Sequence, residues 1–197
     1  VKPRLVILAS GTGTTFTAIA EACRSGRLNA DLAGLVVSRD GAPVIDRAEE
    51  YGVPTVVVEL ARFKDRSQWD RTMTAATAGY EPTLVALAGF TQLLGPEFLK
   101  TFERRVVNTH PSLLPKYGGP GMYGRNVHEA VLRAKEKESG VSVHWVAGEY
   151  DSGPVIAQKP VPVYPGDTAR NLAERVQGVE KDFYISVLSD LLTSMSQ

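Results

Sequence analysis

One cysteine, Cys23, stands in the whole chain, so no internal disulfide can form, and this usage suits a reducing cytoplasm. Cys23 lies in a helical pattern and reads as small apolar filler of a core. Long hydrophobic runs are missing as well. Residues 84–90 form one of the longest, a strand-sized run far short of the roughly 20 residues that span a bilayer. No signal-peptide pattern opens the chain. Charge of one sign is lacking: Lys+Arg and Asp+Glu stand at 22 each. No overall field therefore draws the chain to nucleic acid or to an anionic membrane, and an anionic substrate must be held by a local site. Histidines number three, His110, His128 and His144, without the ligand spacing of a metal centre. Repeats and low-complexity tracts are absent. The expectation is a cytoplasmic protein that handles small molecules, with no nucleic acid, no membrane and no metal.

What is present fits a globular chain. The hydrophobic fraction is 43% and the charged fraction 22%, ordinary for such proteins, and 197 residues suffice for one domain with a proper core. Short apolar runs alternate with helical spacing. Residues 4–10, 32–37, 54–58, 83–88 and 104–109 read as strands; residues 14–25, 42–51, 65–80 and 97–102 read as helices. That alternation predicts βαβ units and a doubly wound, mostly parallel α/β sheet. The pattern then loosens. Residues 126–134 read as a helix, 141–146 as a strand with Val141, Val143 and Trp145 on one face, 155–163 as a proline-punctuated edge segment, and 168–192 as a closing helix. One strand of this later part is expected to run antiparallel. In such sheets ligands sit beyond the carboxyl ends of the parallel strands, so the loops after Ser10, Ala88 and Thr109 are where chemistry belongs.

Gly11-Thr12-Gly13-Thr14-Thr15 joins the first strand to the first helix. Glycines let a backbone approach an anion, and a helix start offers unpaired N–H groups. A dinucleotide site would want a third glycine where Phe16 stands, and a Walker loop would want a lysine. The loop therefore suits a single phosphate; read blandly, it is a tight turn with a Thr cap. A second motif is Arg104-Arg105-Val106-Val107-Asn108-Thr109-His110-Pro111-Ser112-Leu113-Leu114-Pro115. Asn108 and His110 alternate along a strand end and can project to one side, an amide and an imidazole able to stabilise an oxyanion. A catalytic histidine wants an orienting carboxylate. Asp151, in Glu149-Tyr150-Asp151-Ser152-Gly153-Pro154, is the best-placed candidate, although Asp-Ser-Gly is also ordinary turn chemistry. His128 reads as a surface or packing residue and Trp69 as core. His144 faces away from Val143 and Trp145, which allows it a place near the site without requiring one.

These residues carry a resemblance to the folate-dependent formyltransferases, running from the first strand to the last helix. Its motifs are Ser10-Gly11-Thr12-Gly13, Leu87-Ala88-Gly89-Phe90, Asn108-Thr109-His110-Pro111-Ser112-Leu113-Leu114-Pro115 and Asp151-Ser152-Gly153-Pro154-Val155-Ile156. Asn-x-His with a later Asp is shared across the superfamily; the glycine loop and the His-Pro-Ser-Leu-Leu-Pro spelling point to its purine-synthesis branch. The resemblance implies a Rossmann-like formyltransferase fold over residues 1–197, with 1–100 binding the nucleotide phosphate and 101–197 holding the chemistry and the folate. It implies catalytic roles for Asn108, His110 and Asp151. Gly11, Thr12, Gly13, Thr14, Thr15, Arg66 and Glu180 would bind the ribonucleotide. Phe90, Thr91, Gln92, Leu93 and Leu94, with Ala147, Gly148, Glu149, Tyr150 and Asp151, would hold the folate. There are departures: Thr14-Thr15 replaces the more usual Ser-Asn, Gly118-Gly119-Pro120-Gly121 lengthens a loop, and Thr91-Gln92 stands where Met-Arg is common. Gln92 has no charge to offer the folate's glutamate tail.

The implied reaction moves a formyl group from 10-formyltetrahydrofolate to the amine of glycinamide ribonucleotide through a tetrahedral intermediate, with no acylated residue. A homodimer is compatible with the resemblance. Three rivals remain. A 10-formyltetrahydrofolate hydrolase uses a similar catalytic domain but carries an extra N-terminal regulatory domain, for which this chain is expected to have no room. An NADP-binding oxidoreductase would read the 2′-phosphate with Arg39, but lacks its third glycine. A non-catalytic nucleotide-binding module would leave the Asn/His/Asp set without a role.

Overall fold

The computed structural model of the protein describes residues 2–196. In chain order its elements are β1 (Arg4–Ala9), α1 (Thr14–Arg24), β2 (Asp31–Val37), α2 (Val44–Glu50), β3 (Thr55–Val57), α3 (Arg66–Ala78), β4 (Leu84–Leu87), α4 (Pro96–Thr101), β5 (Val106–His110), α5 (Arg125–Arg133), β6 (Glu138–Trp145), β7 (Val155–Pro162) and α6 (Ala169–Met195). The side chains of Leu5, Val6, Ile7 and Leu8 in β1 are all fully buried. A strand apolar on both faces needs cover on both, which is the condition of a parallel sheet flanked by helices. Accordingly β1 pairs in parallel with β2 and with β4, Ile7 lying opposite Leu35 and Ala86. β3 extends the parallel ladder beyond β2, and β5 beyond β4. The sheet order is β3-β2-β1-β4-β5-β6-β7, and β6 pairs with β7 antiparallel. The expected doubly wound, mostly parallel α/β architecture with an antiparallel element in the later half is therefore observed. The order reverses between β1 and β4, so the loops that follow these two strands flank a topological switch point.

The chain clusters into two compact units, one reaching Val107 and taking in Leu188 onward, the other running from Asn108 to Val187. In the first, Phe16 and Ile19 of α1 and Trp69 and Met73 of α3 are wholly buried. Trp69 is core as expected, and its indole N–H donates to the Val58 carbonyl at 2.9 Å. Asp65, in extended backbone, accepts from Gln68 N at 2.8 Å and so caps α3; the helix begins one residue later than its pattern suggested. Buried Asp70 accepts from the N–H groups of Gly95 (3.1 Å) and Glu97 (2.9 Å), meeting the orphan donors at the start of α4. Cys23 is half-buried rather than core. Burial, then the charge of Asp31, pushes its thiol up to about 11, so it stays protonated at neutral pH.

In the second unit a cluster of Val131, Val141, Val161, Leu172 and Val176 joins α5, β6, β7 and α6. β5 starts at Val106 rather than Arg104, because Arg104 has a φ of 54°, outside the strand region. β6 starts earlier than its hydrophobic pattern, at Glu138, since Glu138, Ser139 and Gly140 pair with Pro162, Val161 and Pro160. Both faces of β6 are buried between Ser139 and His144. Ser142 and His144 on it are held by hydrogen bonds, whereas the buried Ser139 hydroxyl oxygen has no partner.

Candidate active site

β5 ends on the sequence Asn108-Thr109-His110, and three different partners receive these side chains. His110, 4% exposed, donates from Nε2 to the Tyr117 carbonyl at 2.7 Å. Its Nδ1 lies 3.4 Å from Oδ2 of Asp151. Both ring nitrogens thus face oxygen acceptors, an arrangement that a doubly protonated ring satisfies. Asn108 does not bond His110. Its Nδ2 lies 3.4 Å from Nε2 of His144, which in turn is 3.6 Å from Oδ1 of Asp151. Nδ1 of His144 donates to the Trp145 carbonyl at 2.9 Å. One carboxylate is therefore shared between two histidines, and the second histidine touches Asn108. Sequence reasoning left His144 undecided, although its alternation with Ser142 on one face of β6 was the available signal.

Local structure explains how Asp151 arrives there. Its φ is 53°, a left-handed conformation that Asp tolerates better than most side chains. Gly153 lets the chain fold back on the end of β6: a Cβ there would come within 1.7 Å of the Trp145 carbonyl oxygen. The Gly119 N–H donates to Asp151 Oδ2 at 3.0 Å, so the glycine-rich loop after Pro115 supplies part of the carboxylate's shell. Burial alone would raise the Asp151 carboxyl. Hydrogen bonds from His110 and His144, the His110 charge and the Gly119 N–H outweigh it and hold the group well below the usual carboxylate range. The His-Pro-Ser-Leu-Leu-Pro turn is anchored by Ser142, which donates to the Ser112 carbonyl at 2.6 Å and accepts from Leu114 N at 2.9 Å. Gln158 Nε2 donates to both Ser142 Oγ and the Leu114 carbonyl at 2.8 Å. Ser142 and Gln158 are positioning residues that no motif announced.

Thr109 donates to Oε1 of Glu180 at 3.2 Å, tying the strand end to α6. Burial raises the Glu180 carboxyl, opposed by the Thr109 hydrogen bond and by the charges of His110 and Lys181. Glu180 also lines a cavity of about 410 Å³ with Pro111, Arg125, His128, Thr168 and Gln177.

The first unit carries the glycine loop. α1 starts at Thr14 behind Gly13, which has a φ of 78° and no side-chain cap, so no threonine closes the helix start. Gly13 is fixed by packing: a Cβ would lie 2.6 Å from Val44 Cγ2. Gly11 has open space around it, and its backbone carbonyl accepts from Val44 N at 3.2 Å. Thr12 and Thr14 are exposed and Thr15 is half-buried. Arg66 is exposed, lies over the Trp69 ring at 5.2 Å and donates to the Leu93 carbonyl, so this hydrogen bond goes to the 90–94 segment and not to the glycine loop. Thr91 N donates to Ser10 Oγ at 3.0 Å, and Ser10 shares a 2.6 Å hydrogen bond with Ser38. A cavity of about 560 Å³ brings Gly11, Arg39, Thr91 and Gln92 to one space. Phe90 and Leu93 are half-buried and Leu94 buried. In the 147–151 turn Gly148, Glu149 and Tyr150 are exposed, with Ala147 half-buried. A larger cavity of about 600 Å³, lined by Lys2, Arg4, Cys23 and Tyr51, opens at the amino ends of β1 and β2. That is the wrong edge of a parallel sheet for chemistry.

Among the described residues no helix is long and apolar enough to cross a membrane, and no three His, Cys, Asp or Glu side chains group as metal ligands.

Known proteins resemble this chain in sequence and in fold. The phosphoribosylglycinamide formyltransferase of Mycobacterium tuberculosis is 41% identical over 190 residues, covering 96% of this chain and 85% of that protein. The chloroplastic phosphoribosylglycinamide formyltransferase of Vigna unguiculata is 35% identical over 96% of this chain, which spans 61% of that longer relative. The crystal structure of glycinamide ribonucleotide transformylase 1 from Geobacillus kaustophilus superposes with a TM-score of 0.89 at 39% identity, covering 98% of this chain and 100% of that one. Residues 3–188 match the family described as formyl transferase, and with nearly the whole chain covered, this protein belongs to the formyl transferase family.

Proposed function

We propose that the protein transfers the formyl group of 10-formyltetrahydrofolate to the primary amine of glycinamide ribonucleotide, a step of purine biosynthesis. The observation that carries this reading is the Asp151 carboxylate held between His110 and His144 with Asn108 beside them, in a chain of the formyl transferase family. The amine nitrogen attacks the formyl carbon and the carbonyl π pair moves onto oxygen. N–H groups of Asn108 and His110 meet the oxyanion, which for His110 means exchanging the Tyr117 carbonyl for the substrate oxygen. Asp151, whose Oδ2 lies 3.4 Å from Nδ1, keeps the His110 ring oriented. The proton on the attacking nitrogen passes to the folate nitrogen through water, the carbon–nitrogen bond to the folate breaks, and tetrahydrofolate leaves. No side chain becomes acylated.

Roles follow for the remaining residues. Gly11, Thr12, Gly13, Thr14 and Thr15 receive the phosphate, supported by the uncapped start of α1. Arg66 keeps guanidinium N–H donors beyond the one given to Leu93, and these we assign to the phosphate. Glu180 accepts from the ribosyl part. Phe90, Thr91, Gln92, Leu93 and Leu94, with the turn from Ala147 to Asp151, line the folate, chiefly through backbone groups. Residues 1–100 carry the phosphate end and 101–197 the chemistry within one formyltransferase domain.

The test is to mix protein, formyl folate and ribonucleotide and follow loss of the formyl folate with and without the amine. Consumption that needs the amine is expected. Amine-independent consumption would identify a hydrolase, and no consumption at all would reject both readings.

A further inference from the structure

The cavity of about 560 Å³ beyond the carboxyl ends of β1, β2 and β4 carries polar groups that the proposed transfer does not use. Its size falls within the roughly 300–1,000 Å³ of small-molecule sites. Ser10 and Ser38 on its wall are 6% and 5% exposed and share one 2.6 Å hydrogen bond between their hydroxyl oxygens. Ser10 Oγ also accepts from Thr91 N at 3.0 Å. Each hydroxyl brings one proton. One of the two lies in the shared bond, and the other has no acceptor among the described residues. The serine pair therefore leaves one buried O–H donor on the cavity wall.

Arg39 follows Ser38 directly and lines the same space. It is exposed, and its guanidinium has no ion pair or hydrogen bond among the described residues. The neighbouring carboxylates of Asp40 and Glu59 are both engaged by Arg62, at 2.5 and 3.2 Å. The half-buried Gln92 amide likewise has no partner among the described residues. A hydroxyl, a guanidinium and an amide supply donors in excess of acceptors, which suits an anion with several oxygens. The proposed reaction brings two such anions, the ribonucleotide phosphate and the glutamyl carboxylates of the folate. The phosphate has its place at the uncapped start of α1, and none of Thr12, Gly13, Thr14 and Thr15 lies on this wall. Thr91 and Gln92, from the segment assigned to the folate, do lie on it.

We propose that Ser10, Ser38, Arg39 and Gln92 form a subsite for the γ-linked glutamyl units beyond the first on a polyglutamylated folate, with Arg39 as the specificity-determining cation. The inference rests on the reading of a formyl folate as donor. The Thr91–Ser10 bond ties the wall to the folate segment and fixes the donors before the tail arrives, which lowers the ordering cost of binding it.

The experiment titrates the parent, Arg39→Gln and Arg39→Lys with tetrahydrofolate carrying one, three or five glutamates, in the absence of amine and at low and high salt. The ribonucleotide is titrated separately. Arg39 is exposed and unpartnered, so both variants should keep the parent's thermal midpoint. The parent is expected to bind the triglutamate about tenfold more tightly than the monoglutamate, the scale of a hydrogen bond to a charged group. That advantage should shrink as salt rises. Arg39→Gln should bring the two affinities together, Arg39→Lys should retain part of the difference, and ribonucleotide affinity should hold in both. Equal affinity for one and three glutamates in the parent overturns the proposal, as does an Arg39→Gln protein that keeps the advantage. A loss of ribonucleotide affinity with the tail-length advantage intact gives the cation to the phosphate and overturns it too. A parent that discriminates tail length in binding yet transfers no formyl group rejects the reaction and leaves the subsite standing.

Discussion

Asp151 is the residue on which most of the proposed chemistry converges, because one carboxylate faces His110 through Oδ2 and His144 through Oδ1. Asp151→Asn keeps the shape and removes the charge. Its kcat should fall at least ~100-fold, the scale of a lost transition-state stabiliser, with much smaller changes in substrate affinity. Combined with His110→Ala it should be little worse than the worse single variant, since groups acting as a unit are not additive. Steady-state kcat for the two single variants and the double checks this, and fully multiplicative losses would mean the two side chains act independently. Glu180 makes a different case. Burial raises its carboxyl, so the ionised form is disfavoured by the fold as pH rises through that raised value. Glu180→Gln should therefore keep or raise the thermal midpoint at neutral pH while KM for the ribonucleotide increases. A large drop in midpoint would show the carboxylate to be structural. At this scale the motif was informative about residue types but not about contacts. Asn108 and His110 were legible as a pair, yet Asn108 turns to His144 and Thr109 to Glu180.

The loop between β1 and α1 shows what an element adds. From sequence, its two glycines looked equivalent as sites of close backbone approach. In the structure Gly13 is required by its φ of 78° and by Val44, 2.6 Å from where a Cβ would stand, while Gly11 has open space. Any larger residue at 13 perturbs the fold before it reports on a ligand. Gly13→Ala should cost about 1 kcal/mol or more of stability, whereas Gly11→Ala should leave the thermal midpoint unchanged and raise KM for the ribonucleotide. Equal stability losses at both positions would remove that distinction. The start of α6 offers a second element-level case. Arg175 makes two 2.7 Å bonds to Asp167, which also accepts from Tyr164 N at 2.7 Å. The Arg175 guanidinium lies 4.4 Å over the Tyr164 ring. Hydrogen bonds from Arg175, then from the Tyr164 N–H, bring the Asp167 carboxyl down to about 2. Because the folded value is depressed, this stabilisation is present above the unfolded value near ~4 and is lost as pH falls through about 2. Asp167→Asn should lower the thermal midpoint at pH 7 and have little effect in strong acid. A midpoint difference that does not shrink on acidification would contradict this.

For the molecule as a whole, Asp167 and Asp151 act in the same direction. Both carboxyls are depressed by folding, so the native state binds fewer protons than the unfolded chain in mild acid, and stability falls as pH drops below ~4. Acid unfolding followed by circular dichroism should begin at lower stability cost in a chain carrying both Asp151→Asn and Asp167→Asn. Its midpoint should vary less with pH than the parent's, and parallel curves would show that other groups govern the acid limb. Basic and acidic residues are equal in number, so no large self-repulsion is present at neutral pH to mask the effect.

The sequence by itself determined the fold class, because apolar runs buried on both faces and separated by helical spacing have few solutions other than a parallel sheet with helices on both sides. It also singled out Asn108, His110 and Asp151, which lie within recognisable motifs, as the residues of the proposed chemistry. Element limits departed from the pattern where a cap or a positive φ intervened, at Asp65 and at Arg104. Tertiary structure alone decided the rest. Whether Asp151 was a turn former or an ion-pair partner, whether His144 joined the site, and whether His128 faced solvent or a cavity all depend on side chains from β5, β6 and their loops. These residues lie tens of positions apart in sequence, and local periodicity constrains which face a residue takes but not which distant partner meets it. The polar contacts of Ser142 and Gln158 arise in the same way: they satisfy backbone groups of a turn that folding buries, and that burial exists only once the strands have paired.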